Sequence, residues 1–394
     1  MVRKQPSPAD TALLAAAGER GATATVTQLE RWRTAGLLVR NNQHGAGQGR
    51  GSVSTTPAGA VDLVVWLSAH ARPGRRPDDL ALEAFGAGLP TPEPTVRRAW
   101  LTAATDFRQN ALLGPDETGD RSTWIGDVAD ELAGKHSGKS VLLPRRLRDV
   151  DARIAAAGIS FAMPELAAFD KGPTETEPFT TRDFLTTAVS AVLGGTTAFV
   201  DADLAAVSRA LAPPGAAVPV ASMLEYPDGG PALADINDGH GLNLLPAGDV
   251  RDELARLVTE ASLTQLRAAW QAVDVMHRWA VSLCDTVEAE LDAIAAGEPS
   301  PDYPGLLQWF YGVAFGLNRL LLRQALLEPA PSGKAQASTA VMLLFLATGM
   351  SRLRVMVPDG QFELLPVLLP PFVYQLAELV AADLPASLRR DDLA

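Results

Sequence analysis

The side chains best suited to binding chemistry are arginines in a short segment near the N-terminus. Between Arg20 and Arg76 the chain carries 8 Lys and Arg residues against 2 Asp and Glu residues, a local charge of +6. Residues 1–100 hold 12 basic against 8 acidic residues, whereas residues 101–394 hold 22 against 38, and the whole chain has a net charge of -12. Such a patch can neutralise several phosphates on an otherwise acidic protein. The alternative is a surface whose arginines only keep the segment soluble.

Two glycine-containing segments have the composition of ligand-binding loops. The sequence GKHSGKS over 134–140 is similar to a phosphate-binding loop, but that loop has four residues between its glycines and follows a strand. Here three residues separate the glycines and a predicted helix precedes them, so a solvated cationic loop is expected. The sequence DINDGHG over 235–241 has the oxygen atoms of a calcium loop. It lacks the alternating ligands and the final glutamate, which favours a cluster of Asx turns.

Catalytic and metal-binding motifs are poorly represented. The sequence contains neither GxSxG nor HExxH and has 5 histidines, so we expect no enzyme and no catalytic residue. His277 and Cys284 could share one helix face, but a single pair does not make a metal site. We therefore expect a packed histidine and a buried thiol there, with no metal and no cofactor.

Aromatic and methionine side chains in the C-terminal half could surround an apolar ligand. Pockets of this kind form between the helices of bundles and hold a few convergent polar groups. The predicted lining residues are Trp270, Met276, His277, Trp279, Trp309, Phe310 and Met342. The alternative is an ordinary hydrophobic core, in which these residues only contact one another.

Local signals predict the elements that position the N-terminal arginines. Thr27 and Glu30 have the spacing of a capping box, so a helix is expected to begin near Thr27. Leu29 and Trp32 would line its buried face, and Gly36 can adopt the left-handed conformation that ends a helix. The segment therefore predicts a helix of about three turns with arginines on its surface.

A hairpin and a further helix are expected next. The glycines at 45, 47, 49 and 51 alternate with polar or basic residues, a composition that is typical of a hairpin tip and cannot form a packed element. Thr56 is a candidate N-cap and Pro57 suits the first helical position. A helix is therefore predicted from Pro57 to about His70, and a short first helix is expected over 11–17.

The order of these elements resembles the N-terminal domain of MerR-like winged-helix regulators over Thr11–Leu89, less than a quarter of the chain. The residues that match the family's pattern are Leu29, Trp32, Gly36, Leu37, Leu38 and Arg50. Glu30 stands where the family usually has arginine, Arg33 stands where it usually has an acid, and no aromatic residue follows Arg50. The resemblance implies a bacterial transcription regulator that binds double-stranded DNA as a homodimer.

The resemblance and the charge pattern together predict a DNA-binding surface. The helix over 27–35 is expected to enter the major groove and to meet base edges or phosphates through Gln28, Arg31 and Arg33. The hairpin would hold the flanking DNA backbone through its arginines. The complete predicted set is Thr27, Gln28, Arg31, Arg33, Arg40, His44 and Arg50. The alternative is a protein-interaction module whose winged helix docks a protein partner, with the helical body as an adaptor.

The rest of the chain is expected to be helical. Periodic apolar residues, separated by glycines or prolines, predict helices over 95–113, 124–132, 147–157, 182–193 and 202–211. The predicted fold class is therefore mainly α, with an N-terminal winged helix-turn-helix followed by a large all-α helical-bundle body. The predicted domains are a winged-helix domain over 1–90, a helical middle region over 91–212, a loop-rich connection over 213–248 and a C-terminal helical effector or dimerisation domain over 249–394.

Apolar residues recur at three- and four-residue steps from 249 to 296 and predict one long helix. The apolar stripe of this helix must be covered. Its partners could be helices over 306–327, 337–355 and 362–382, which would form a bundle within one chain, or a second copy of the chain. We expect a homodimer, because winged-helix relatives bind two-fold sites as dimers.

Cysteine usage favours a reducing compartment, and hydropathy favours a protein that does not span a membrane. Cys284 is the single cysteine, which excludes an internal disulfide framework. A signal peptide would require an apolar run after its basic residues, and no such run follows Arg3 and Lys4. The most apolar segment, Ala340–Met350, is about a dozen residues long and too short to span a bilayer. A cytoplasmic protein is therefore expected.

Overall fold

The computed structural model describes residues 6–45, 52–105, 120–136, 142–160, 179–195, 198–213, 216–225, 249–298, 302–328, 331–356 and 370–382. The regular elements in these ranges are helices and one two-stranded antiparallel sheet. The expected mainly α fold is confirmed, and after Thr55 the described elements are all helices. None of the described helices combines the length and the apolar character needed to cross a membrane.

The chain begins with two helices, a hairpin and three further helices. These elements are α1 (Pro8–Glu19), α2 (Val26–Thr34), β1 (Asn42–Gly45), β2 (Ser52–Thr55), α3 (Ala60–His70), α4 (Pro77–Gly86) and α5 (Glu93–Thr105). The later helices are α6 (Arg121–His136), α7 (Arg145–Ala156), α8 (Thr181–Gly194), α9 (Asp201–Leu211), α10 (Pro219–Leu224), α11 (Val250–Glu260), α12 (Leu263–Ala295), α13 (Pro304–Phe315), α14 (Leu317–Leu327), α15 (Gly333–Met356) and α16 (Pro371–Ala382).

The chain folds into two compact units, and neither is continuous in sequence. The N-terminal unit contains Met1–Asp106, Ala255–Gln271 and Pro331–Val341. The C-terminal unit contains Phe107–Leu254, Ala272–Ala330 and Met342–Ala394. Helices α11, α12 and α15 therefore contribute residues to both units. The four-part division expected from composition stays a prediction.

The first three helices bury a small apolar core within the N-terminal unit. Leu13, Leu29 and Leu63 are 2%, 0% and 1% exposed, and α1 packs against α3. Each fully buried leucine of this kind stabilises the fold by about 1.5–3 kcal/mol. These three helices thus share an apolar core.

The N-cap of α2 lies two residues before its predicted position, at Thr25 instead of Thr27. The Thr25 hydroxyl accepts a hydrogen bond of 3.2 Å from the Gln28 amide, and the Gln28 side chain accepts one of 2.8 Å from the Thr25 amide. The Thr25 and Gln28 pair has the same spacing as Thr27 and Glu30, and the local sequence does not rank the two. The prediction of Thr27 as the cap was therefore wrong.

Gly36 ends α2 in the left-handed conformation that the sequence predicts, with a φ of 74°. The Leu37 amide donates to the Trp32 carbonyl at 2.8 Å and closes the last turn. A Cβ at Gly36 would lie 2.5 Å from Thr95 Oγ1, which donates to the Gly36 carbonyl at 2.8 Å. Both the backbone conformation and the close approach of α5 require glycine here.

Helix α3 begins at Ala60, three residues after the predicted start at Pro57. Gly59 precedes the helix with a φ of 71°. The Thr56 hydroxyl does not cap the helix, because it donates to the Ala9 carbonyl at 3.4 Å. The predicted N-cap residue instead joins this part of the chain to α1.

Aromatic rings form a second packed group in the N-terminal unit. Trp100 of α5 meets Phe85 of α4 and Trp270 of α12 edge to face, with ring centroids 6.4 Å and 6.2 Å apart. The Arg97 guanidinium donates to three carbonyl groups at the end of α11. Carbonyls at a helix C-terminus have no partner within their own helix, so Arg97 satisfies them.

Apolar contacts and ion pairs hold the helices of the C-terminal unit. Helices α6 and α8 pack around Ile125, Val128 and Leu193. Arg146 of α7 donates to both carboxylate oxygens of Glu288 on α12, at 3.0 Å and 2.8 Å. These contacts lie entirely within the C-terminal unit.

The long helix predicted over 249–296 is broken into α11 and α12. Ser262 Oγ accepts a hydrogen bond of 3.2 Å from the Gln265 amide, and the Gln265 side chain accepts one of 2.8 Å from the Ser262 amide. This reciprocal cap starts a new helix at Leu263. The apolar repeat continues on both sides of the break, so periodicity alone did not reveal it.

The helix predicted over 306–327 is also two helices, α13 and α14. Gly316 separates them with a φ of 70°. A Cβ at Gly316 would lie 2.7 Å from Ser208 Oγ, because α9 approaches the backbone closely at this point. A single continuous helix is incompatible with that conformation.

Three predictions fall partly outside the described residues. The helix predicted over 95–113 is described as far as Thr105, as part of α5, and its residues 106–113 lie outside the described ranges. The loop-rich connection predicted over 213–248 contains α10, and its residues 226–248 lie outside the described ranges. The segment predicted over 362–382 is described from Pro370 onward, with α16 beginning at Pro371.

Candidate nucleic-acid interface

Helix α2 presents a polar surface opposite its buried face. Leu29 and Trp32 are 0% and 5% exposed, whereas Thr27 and Arg31 are exposed. These two residues are four apart and therefore lie on the same side of the helix. Gln28 is half-buried at the edge of this side. Thr27, Gln28 and Arg31 thus form one continuous patch, which we call the α2 surface.

Arg33 does not belong to the α2 surface, which corrects its predicted role as a DNA contact. Its side chain is 7% exposed and donates to Asp10 of α1 at 2.5 Å. It also donates to Glu30 at 2.8 Å and to Asn41 at 3.3 Å. Reaching a base edge or phosphate would require these bonds to break. Arg33 therefore joins α2 to α1 and to the residue before the hairpin.

We call this group of side chains, Arg33 with Asp10, Glu30, Asn41 and Ser7, the Arg33 network. Burial acts to raise the pKa of Asp10, but hydrogen bonds from Arg33, Ser7 and Asn41 outweigh it and hold the pKa at about 2. Burial also acts to lower the pKa of Arg33, yet its bonds to Asp10 and Glu30 raise it overall. Both groups are charged at neutral pH, and the exchanged charges at Glu30 and Arg33 pair with each other.

The hairpin begins directly after the Arg33 network. Strands β1 and β2 pair antiparallel, with Asn42 opposite Thr55. His44 is exposed on β1, and its Nε2 lies 3.3 Å from Thr55 Oγ1. Arg50 and the other residues of 46–51 lie outside the described residues. A contact between Arg50 and DNA therefore stays a prediction.

Arg31 and Arg40 are exposed cations on either side of Arg33 in sequence. Within the part of the chain that the structure describes, neither forms an ion pair. Arg20, by contrast, is paired with Asp62. An exposed guanidinium without a carboxylate partner keeps its five donors for an external anion.

The predicted lining residues of the apolar pocket have different surroundings. Trp270 belongs to the N-terminal unit, where it contacts Trp100. In the C-terminal unit, Trp279 meets the ring of Phe372 at 5.6 Å and Trp309 donates to Asp151 at 3.0 Å. Met276 is buried there, while Phe310 and Met342 are half-buried. The ligand pocket stays a prediction.

His277 and Cys284 have separate partners in the C-terminal unit. The Nδ1 atom of His277 lies 3.0 Å from the Ala325 carbonyl oxygen. Burial raises the pKa of the Cys284 thiol to about 11, which keeps it protonated and unreactive. Among the described residues, no group of three His, Cys, Asp or Glu side chains could hold a metal ion. Of the two loop motifs, 134–140 is described only as far as His136, and 235–241 lies outside the described ranges.

Sequence reasoning missed three residues that organise this interface: Thr25, Asp10 and Asn41. The cap at Thr25 had a visible signal, since Thr25 and Gln28 have capping-box spacing. Asp10 lies 23 residues from Arg33 along the chain, a separation that no local pattern reports. Asn41 had no signal that separates it from the neighbouring Asn42.

Comparison with protein-family models, with curated proteins and with solved structures gives no significant match. The function must therefore be inferred from the residues of this chain. The α2 surface and the exposed hairpin offer cationic and hydrogen-bonding groups. Such groups suit an anionic ligand that carries acceptors along its length.

Proposed function

We propose that this chain is a non-catalytic, DNA-binding transcription regulator whose elements from α1 to α3 form a MerR-like winged helix-turn-helix. In this proposal α2 is the recognition helix and the β1–β2 hairpin is the wing. The helical body is assigned dimerisation and the response to a small apolar ligand. The proposed compartment is the cytoplasm.

The observation that carries the proposal is the α2 surface followed by an exposed hairpin. The segment has two helices, a two-stranded hairpin and a third helix, in the order that the resemblance to MerR-like regulators implies. Arg31 and Arg40 are exposed on it. Its local charge of +6, on a chain of net charge -12, supports a polyanionic partner.

The proposed mechanism places α2 in the major groove, with Thr27, Gln28 and Arg31 at the base edges. The hairpin follows the neighbouring phosphates through Arg40, His44 and Arg50. The Arg33 network is the positioning element, because it bonds α2 to the residue before the wing. Two copies would then occupy two half-sites about one helical turn apart.

A second candidate is a protein-interaction adaptor whose winged helix docks a protein. The observation that favours it is the burial of Arg33, which leaves Arg31 as the exposed arginine of α2. A protein partner needs fewer cations than a DNA duplex, whose affinity depends mainly on phosphate neutralisation. The two functions differ sharply in their dependence on salt.

The discriminating experiment measures binding of the full chain to labelled genomic DNA fragments by fluorescence anisotropy over a range of salt concentrations. The double variant Arg31→Ala/Arg40→Ala should bind more weakly to all fragments. It should also lower the slope of log affinity against log salt by about 1, since Arg40 is the phosphate contact of the pair and each phosphate contact contributes roughly 0.9.

The matched control is Arg145→Ala/Arg182→Ala, which removes two arginine side chains that are 87% and 67% exposed on α7 and α8. This variant should bind DNA as the wild type does. An equal loss in both double variants, or no binding by the folded wild type at low salt, contradicts the DNA-binding proposal. Sedimentation equilibrium of the full chain tests the homodimer separately.

A further inference from the structure

We propose that α2 recognises guanine edges and discriminates against adenine, because Gln28 has its amide oxygen committed within the protein and offers only donors to DNA. This inference rests on the proposed function, since it names the base class that the α2 surface binds. It is carried by the geometry of the α2 cap together with the exposed position of Arg31.

The orientation of the Gln28 amide is fixed by its neighbours. Gln28 Oε1 lies 2.8 Å from the Thr25 backbone nitrogen and 3.1 Å from Thr25 Oγ1. A backbone N–H can only donate, so the atom that faces it must be the amide oxygen. Two hydrogen bonds occupy both lone pairs of that oxygen. The NH2 group is therefore the end that remains for a ligand.

The NH2 group of Gln28 is available to a ligand as far as the described residues are concerned. Within the described part of the chain, Gln28 Nε2 donates to no other residue. A glutamine normally recognises adenine with both ends of its amide, accepting from N6 and donating to N7. With Oε1 occupied, Gln28 cannot accept from adenine N6. It can still donate to guanine N7 or O6.

Arg31 adds donors on the same side of α2. It lies three residues after Gln28 and four after Thr27, so the three side chains are neighbours on the helix surface. Guanidinium groups bind guanine O6 and N7 in a bidentate manner. The Glu30 carboxylate is turned to Arg33, from which its Oε1 accepts a hydrogen bond of 2.8 Å.

Donor groups at both positions match a guanine edge. Guanine presents two acceptors in the major groove, whereas adenine presents one acceptor and one donor. A donor-only pair facing adenine would leave the N6 amine without an acceptor. The expected consequence is a preference for guanine over adenine of about tenfold or more at the contacted position.

The test is selection of bound sequences from a randomised duplex library with the full-length chain. Wild-type sites should be enriched in guanine at neighbouring positions of each half-site. Replacing those guanines with 7-deazaguanine, which lacks the N7 acceptor, should weaken binding about tenfold. Arg31→Ala should lose the enrichment at one of the positions.

The decisive variant is Gln28→Glu. Glutamate is the usual partner of threonine in a capping box, so the start of α2 is preserved, which circular dichroism and thermal unfolding can verify. The free end of the side chain becomes an acceptor, and glutamate accepts from cytosine N4. The selected base at the Gln28 position should therefore change from guanine to cytosine.

Gln43→Glu on β1 is the charge-matched control, since Gln43 is exposed and lies outside α2. It should lower affinity for all duplexes without changing the selected bases. The inference is overturned if the selected sites contain no guanine, or if Gln28→Glu selects the same bases as the wild type. Neither outcome contradicts the proposal that the chain binds DNA. Failure of the wild type to bind any duplex overturns the proposed function itself.

Discussion

A buried aspartate–arginine pair occurs in each unit, and the two pairs differ in their surroundings. In the N-terminal unit the side chains of Asp10 and Arg33 are 8% and 7% exposed. In the C-terminal unit those of Asp151 and Arg319 are 8% and 1% exposed. The Arg319 guanidinium also lies 5.1 Å from the centre of the Trp309 ring. Similar ion pairs are therefore buried at two places in the molecule.

The two aspartates nevertheless shift in opposite directions. The pKa of Asp10 is about 2, whereas burial raises the pKa of Asp151 even though Arg319 and Trp309 both act to lower it. Each carboxylate accepts hydrogen bonds from several donors, so their number does not explain the difference. The difference in pKa is explained by how deeply the groups around each carboxylate are buried.

Asp151 lies among groups that have lost their water. Trp309 and Arg319 are 1% and 0% exposed, whereas Glu30 of the Arg33 network is 51% exposed. The solvation free energy that a deeply buried ion pair loses can exceed the free energy that its mutual attraction restores. The lowered pKa of Asp10 therefore indicates that its network favours the charged carboxylate, and the raised pKa of Asp151 indicates that burial there disfavours it.

The largest expected effect is in the C-terminal unit. Asp151→Ala leaves the Arg319 guanidinium buried without its carboxylate, so the free energy of unfolding should fall by about 3–5 kcal/mol. Urea denaturation of the full chain measures this loss. The double variant Asp151→Leu/Arg319→Met removes both charges and should recover most of it. A double variant as unstable as Asp151→Ala would show that the loss does not come from the unpaired charge on Arg319.

A smaller loss is expected from Arg33→Met in the N-terminal unit. The variant removes the charged partner of Asp10 but leaves the hydrogen bonds from Ser7 and Asn41, so the free energy of unfolding should fall by about 2–3 kcal/mol. Arg31→Met on the same helix is the matched control and should change stability by less than about 0.5 kcal/mol. Equal stabilities of the two variants would contradict the structural role of Arg33 and would favour the predicted role as an exposed DNA contact.

The smallest of the three effects is a dependence on pH. Because Asp10 has a folded-state pKa of about 2, below its ordinary value of 3.8, the folded state binds fewer protons than the unfolded state. The stabilisation from this group, about 2 kcal/mol, is complete above about pH 5 and is lost as the pH falls towards 2. Acid unfolding of Asp10→Asn should lack this component, and an identical pH profile in wild type and variant would contradict the assignment.

Asp151 should change the free energy of unfolding with pH in the opposite direction to Asp10. Because the pKa of Asp151 is raised in the folded state, the folded state binds more protons at this group than the unfolded state. The stabilisation from this group is therefore present at low pH and is lost as the pH rises through its folded-state pKa. Asp151→Asn should therefore not remove the acid sensitivity that Asp10→Asn removes.

Parts of the candidate interface could be predicted from local sequence. The burial of Leu29 and Trp32 follows from helical spacing, and the left-handed Gly36 follows from its place at the helix end. The cap at Thr25 was missed because an overlapping pair has the same spacing. The break at Ser262 was missed because the apolar repeat passes through it.

The sequence by itself determined the helical character of the chain, the glycine-rich segment between β1 and β2 and the concentration of arginines near the N-terminus. These properties depend on periodicity, backbone freedom and composition, which are local. Only the tertiary structure decided that Arg31 is exposed while Arg33, two residues later, is buried. A buried charge requires a partner that compensates its lost hydration, and folding brings Asp10 to Arg33 from 23 residues away.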